Sequence, residues 1–72
     1  MVSNKSGKSR KELGEKLRRV REQAGLTQAD VAEKADLHAN YYARIERGEE
    51  NPTFEKLQSI MKALKIKSLD LL

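Results

Sequence analysis

Cysteine and tryptophan are absent from this chain, and proline and histidine occur once each. Without cysteine there is no disulfide and no thiolate metal site. The lone His38 cannot assemble a metal cluster, so no metal and no cofactor are expected. No run approaches the roughly 18 apolar residues of a membrane span. The N-terminal stretch MVSNKSGKSRK lacks the apolar core of a secretory signal. The expected setting is therefore the cytoplasm, with no membrane partner. No segment alternates at period two, so strands are not expected, and no internal repeat is evident. There is no Ser/His/acid set, no phosphate-cradling glycine loop and no pair of carboxylates placed for acid–base work. A chain of 72 residues also offers little cavity, so an enzyme is not expected.

What is present begins with charge. The net charge is +4. Lys5, Lys8, Arg10 and Lys11 supply it from the first eleven residues, where no acid occurs. Across residues 12–72, eleven basic and eleven acidic side chains cancel. Net charge thus points to nucleic acid only through the N-terminal arm, which reads equally as a solvated tail. Within the domain, any footprint for a polyanion must come from uneven placement of charge.

The Ser, Gly and Lys of residues 1–8 favour disorder, giving a flexible basic arm ahead of a single domain over residues 9–72. Ser9 and Glu12 have the spacing of a capping box. Leu13, Leu17, Val20 and Ala24 follow on one helix face, Gly25 stops that helix, and Leu26 returns to the core. Thr27 is placed to cap a second helix, with Asp30 in its first turn and Val31, Ala32 and Ala35 as its buried edge. Asp36 sits where a turn calls for positive φ, and Leu37 is the apolar plug of that turn.

A third helix is expected from Ala39 to Arg47, ending at Gly48. At 100° per residue, Tyr42, Ile45 and Glu46 share one side, while Asn40, Arg44 and Arg47 fall on the other. Glu49-Glu50-Asn51-Pro52 reads as a loop. Thr53 caps a fourth helix with an apolar stripe of Phe54, Leu57, Ile60, Met61 and Leu64. Ser68 can cap a last short turn containing Leu69, Leu71 and Leu72. Residues 27–48 are thus two short amphipathic helices around a tight turn, the layout of a helix-turn-helix that sets its second helix in the DNA major groove.

At LRRVREQAGLTQADVA (17–32), RIERGEENP (44–52) and the L-x-x-I-M-K-A-L-K-I pattern of 57–66, the chain resembles the Cro/repressor-type helix-turn-helix proteins, the XRE family. The resemblance covers roughly residues 10–72. It implies an all-α, compact five-helix lambda-repressor-like domain with the helix-turn-helix at helices two and three. It also implies a sequence-specific double-stranded DNA-binding transcriptional regulator, acting as a homodimer on a two-fold operator. The alternative is an antitoxin or adaptor module whose main partner is a protein; an exposed edge of Asn40, Arg44 and Arg47 argues against pure loss of DNA binding. Small stand-alone members include phage repressors, restriction–modification controllers and antitoxin regulators, and LHANYYARIERGEENPT has some flavour of the controllers.

Carried over by position, the resemblance implies base contacts from His38, Ala39, Asn40 and Arg44. Chemistry independently favours Arg44 with guanine and Asn40 with adenine, both bidentate, whereas Ala39 offers only a methyl for thymine. His38 reads as a cap, a phosphate donor or a base contact. Phosphate contacts are implied for Thr27, Gln28, Tyr41, Arg47 and Asn51, with Tyr41 equally able to cover the domain edge. Lys56 is a further candidate; Arg18 and Arg19 are weaker. Arg21 and Glu46 match an internal salt bridge between helices one and three. Glu49 and Glu50 depart from the simple picture by placing negative charge near the expected DNA backbone. Tyr42 departs too, since its ring needs room and its hydroxyl a partner. One helix reads too few base pairs for useful specificity, so a dimer through Leu69, Leu71 and Leu72 is expected, unless that tail only caps the core. With no second domain in the sequence, no small-molecule effector is expected.

Overall fold

The computed structural model describes residues 6–67. Four helices follow in order: α1 (Ser6–Gln23), α2 (Gln28–Ala35), α3 (Ala39–Glu46) and α4 (Phe54–Ala63). No strand occurs among the described residues, and none of the helices is long and apolar enough to cross a membrane. The expected fifth turn, from Ser68 onward, lies outside the described residues, so the architecture is all-helical with four helices described.

Leu17, Val31, Tyr42, Ile45 and Ile60 are fully buried and form the centre of the core. Ala32, Ala35 and Leu64 complete it, with Leu13, Val20, Leu26, Leu37 and Leu57 packed around. α2 packs on both α3 and α4, and α1 packs on α3. The two buried alanines of α2, Ala32 and Ala35, allow the close approach of its neighbours.

Three expectations need correction. α1 starts at Ser6, so Ser9 lies inside the helix and cannot be its N-cap with Glu12. Ala24 falls just past the last turn of α1 and is exposed rather than on the buried face. Phe54 is 73% exposed although it sits in the apolar pattern of α4. Its place at the first helical residue, about 85° around from the mean direction of Leu57, Ile60 and Leu64, sets its ring off the core face.

The caps of the helix-turn-helix form a compact set. Thr27 Oγ1 accepts from the backbone N–H of Asp30 at 3.0 Å, and Asp30 Oδ2 accepts from that of Thr27 at 2.9 Å. This reciprocal box satisfies two free donors and puts a carboxylate at the positive end of α2. Asp36 ends α2 in the left-handed region at φ 60. Leu37 N–H then bonds back to Ala32 C=O at 2.8 Å, which folds Leu37 onto the core. α3 starts at Ala39 and ends one residue earlier than expected, with Arg47 as its C-cap. Thr53 caps α4 through the N–H of Lys56 at 3.1 Å.

Candidate nucleic-acid interface

α3 divides into an inner and an outer edge. Tyr42, Ile45 and Glu46 are buried inward, while His38, Ala39, Asn40 and Arg47 are exposed. Arg44 is partly exposed on the same outer side, its side chain 43% accessible. The side chain of His38 makes no cap bond, although its backbone occupies the N-cap position of α3. Asp36, His38, Asn40, Tyr41, Arg44 and Lys56 line one shallow concavity along this edge. Tyr41 is half-buried there, with the Lys56 ammonium 5.2 Å from its ring centroid, within cation–π range.

The back of α3 is held by a polar network from all three helices of the helix-turn-helix region. Arg21 of α1 binds Glu46 of α3 as a fork, Nε to Oε2 at 2.7 Å and Nη2 to Oε1 at 3.1 Å. Arg21 Nη1 also donates to the Leu26 carbonyl at 2.9 Å, tying in the α1–α2 connection. Gln28, at the start of α2, donates its amide to Glu46 Oε1 at 2.9 Å. Only 2% of the Glu46 side chain is accessible. Burial alone would raise its carboxyl, but hydrogen bonds from Arg21 and Gln28, with the Tyr42 hydroxyl beside them, hold it below the usual carboxylate range. The Arg21 guanidinium is correspondingly favoured in its charged form by its bond to Glu46.

Sequence reasoning places Gln28 against phosphate; in the structure its amide nitrogen also completes this internal network. A primary amide has two N–H donors and a carbonyl oxygen, so one bond to Glu46 leaves capacity for another partner. Thr27 spends one lone pair on its cap and keeps a hydroxyl proton to donate. Asn51 stands apart from the α3 edge, in a depression shared with Ser9, Arg10 and Leu13 of α1. Leu69, Leu71 and Leu72 lie outside the described residues.

The loop acids, expected near the DNA backbone, pair with the arginines of α3 and its C-cap. Glu50 Oε2 sits 3.5 Å from Arg44 Nη2, and Glu49 takes both Nε and Nη2 of Arg47 at 3.1 Å each. The pairing follows from the chain reversal at Gly48, which brings sequence neighbours back along the helix. Gly14 was also missed. It lies on the buried face of α1, where a Cβ would come within 2.3 Å of the Glu46 carbonyl oxygen. Its signal in the sequence is only a glycine interrupting a helical pattern, which alone does not reveal the close approach.

The helix-turn-helix family model HTH_3 matches residues 17–72. The control protein C.BamHI of Bacillus amyloliquefaciens is 37% identical over 61 residues, covering 83% of this chain and 75% of that protein. The immunity repressor of Bacillus phage phi105 is 39% identical over 54 residues, covering 75% of this chain but only 38% of the repressor's length. Among solved structures, the tetramer of the restriction–modification controller protein C.Esp1396I, in complex with its natural 35-base-pair operator, superposes with a TM-score of 0.78. It is 31% identical, over 85% of this chain and 80% of that one. The matched segment takes in α2, α3 and the Arg21–Glu46 brace, and on that ground the chain belongs to the helix-turn-helix family of the Cro/repressor, or XRE, type.

Proposed function

We propose that this chain is a sequence-specific, double-stranded DNA-binding transcriptional regulator of the cytoplasm. It sets α3 in the major groove and acts as a homodimer on a two-fold site. The observation that carries this reading is the split of α3: an outer edge with Asn40, Arg44 and Arg47, and an inner edge braced by Arg21, Gln28 and Glu46. A reading helix needs side chains that match base edges and a rigid support that fixes their register. Arg44 is assigned to guanine and Asn40 to adenine. His38 and Ala39 flank them at the start of the helix. Thr27, Gln28, Tyr41, Arg47 and Asn51 are assigned to phosphates, the first two at a helix N-terminus whose free N–H groups favour anions. The tail residues Leu69, Leu71 and Leu72 are assigned to the dimer contact. The operator-bound tetramer of C.Esp1396I supports both the DNA and the oligomer.

Selection of bound duplexes from a random pool tests the proposal. The parent chain should enrich two related half-sites, with spacing that reports the dimer geometry. Arg44→Ala should lose preference at one base position in each half-site, at about 1–3 kcal/mol of discrimination. Enrichment of no sequence by the parent would sink the proposal.

A further inference from the structure

Arg44 and Arg47 are the cations of the outer edge of α3, and both are already engaged. Arg47 is filled as a fork by Glu49, and Arg44 is approached by Glu50. The backbone holds these acids in place. Gly48 turns the chain at φ 78, its N–H bonds to Ile45 C=O at 3.0 Å, and the Glu49 N–H bonds to Arg44 C=O at 2.8 Å. A Cβ at position 48 would meet Lys11 Cγ at 2.6 Å, so the reversal is also packed tightly on α1. Both acids therefore stand at the C-terminal end of α3, where the helix dipole disfavours negative charge. They do nothing for the helix there; the two arginines are what stabilise them.

We infer that Glu49 and Glu50 act as internal competitors of DNA, occupying the guanidinium groups of Arg47 and Arg44 and so restraining both the affinity and the salt sensitivity of the interface. The inference rests on the assignment of those two arginines to DNA. The four side chains together carry no net charge. A carboxylate on the Nε–Nη2 edge neutralises the guanidinium and holds that edge against phosphate or guanine, whose acceptors seek the same N–H groups. Exposed pairs of this kind compete weakly, by about two- to fivefold each, so the acids act as a brake and not as a block.

The test measures binding of the parent, Glu49→Gln, Glu50→Gln and the double variant to two probes. One is the duplex enriched by the parent from a random pool; the other is a scrambled duplex of the same composition. The double variant should bind both about threefold or more tightly near 0.1 M salt. Its plot of log affinity against log salt should steepen, by at most about 0.9, through Arg47, the arginine assigned to phosphate. Glu15→Gln removes the same charge from an exposed site on α1 and should change both readouts by less than half as much. No tightening by the double variant, or equal tightening by Glu15→Gln, overturns the inference. If Arg44→Ala and Arg47→Ala weaken binding while the glutamine variants do not tighten it, the competition idea falls alone. If the parent binds neither duplex, or the arginine variants bind as the parent does, the DNA assignment falls and takes the inference with it.

Discussion

Tyr42 brings a phenol into the centre of the core with no accessible surface, and its hydroxyl makes no well-formed hydrogen bond. Burial pushes that hydroxyl far above the usual phenol range and keeps it neutral beside Glu46 and Arg21. An unsatisfied buried hydroxyl costs about 1–3 kcal/mol, so Tyr42→Phe should melt no lower than the parent and up to about 1 kcal/mol more stable. A loss beyond about 1 kcal/mol in denaturant unfolding would show that the hydroxyl is bonded in solution. Glu46 is the opposite case, a carboxylate that accepts three hydrogen bonds from Arg21 and Gln28. Glu46→Ala strands Arg21 and the Gln28 amide and should cost about 3–5 kcal/mol. Because the folded carboxyl lies below its ordinary value of 4.5, its stabilisation is complete above that pH and is lost as pH falls through the lower folded value. The acid limb of a stability–pH profile, below about pH 4.5, should therefore flatten in Glu46→Gln. An identical acid limb in that variant would remove the linkage. Pairing of Arg21 with Glu46 was legible through the family resemblance, with which helical spacing agrees by setting each beside an apolar stripe. The Gln28 bond was not, since it depends on where the start of α2 meets the end of α3.

At the scale of elements, α1 meets α3 through Gly14. The missing side chain lets the backbone carbonyls of Ile45 and Glu46 lie against α1, where a Cβ would stand 2.5 Å and 2.3 Å from their oxygens. Gly14→Ala gains about 1 kcal/mol in helix propensity but forces apart two packed backbones, a strain of about 1–3 kcal/mol. The net effect should be destabilising, with the melting temperature lower by several degrees for a domain of this size. A rise in melting temperature by circular dichroism would show that the two helices separate freely. Moving α3 against α1 would also move the proposed reading edge, so the same variant should weaken DNA binding beyond its loss of stability. The starts of α2 and α4 and the turn at Asp36 were legible from local chemistry, because Thr27, Thr53 and Asp36 act on backbone groups within a few residues. The start of α1 was not. Ser9 carries a cap signature that the longer helix overrides, since continuing the helix satisfies the same backbone donors.

For the whole molecule, the balance of charge beyond residue 11 means that attraction to DNA has to be local. The proposed interface sets Lys56 beside the Arg44–Glu50 and Arg47–Glu49 pairs, so its salt dependence should reflect that small set rather than bulk charge. A domain this small buries only about 60% of its unfolded surface, which leaves a partner subunit as a natural source of further stability. Replacing Leu69, Leu71 and Leu72 together by Ser should lower the apparent mass at micromolar concentration in sedimentation and remove cooperative binding to a two-half-site duplex. A parent that sediments as a dimer with an unchanged variant would place the proposed contact elsewhere, and a monomeric parent would remove the proposed dimer.

Sequence alone determined the helical class, the family, the turn at Asp36 and the split of α3 into two edges. The helical class, the turn and the split depend on local backbone chemistry or on periodicity, and the family on a resemblance carried by residues 17–32, 44–52 and 57–66; all of these are written in consecutive residues. Only the tertiary structure decided how the charged groups spend their bonds. It set Gln28 behind α3, brought Glu49 and Glu50 back onto Arg47 and Arg44, left Phe54 exposed, and brought Gly14 against the end of α3. Those outcomes depend on distances between elements fixed by core packing, and the one-dimensional order of residues does not contain them.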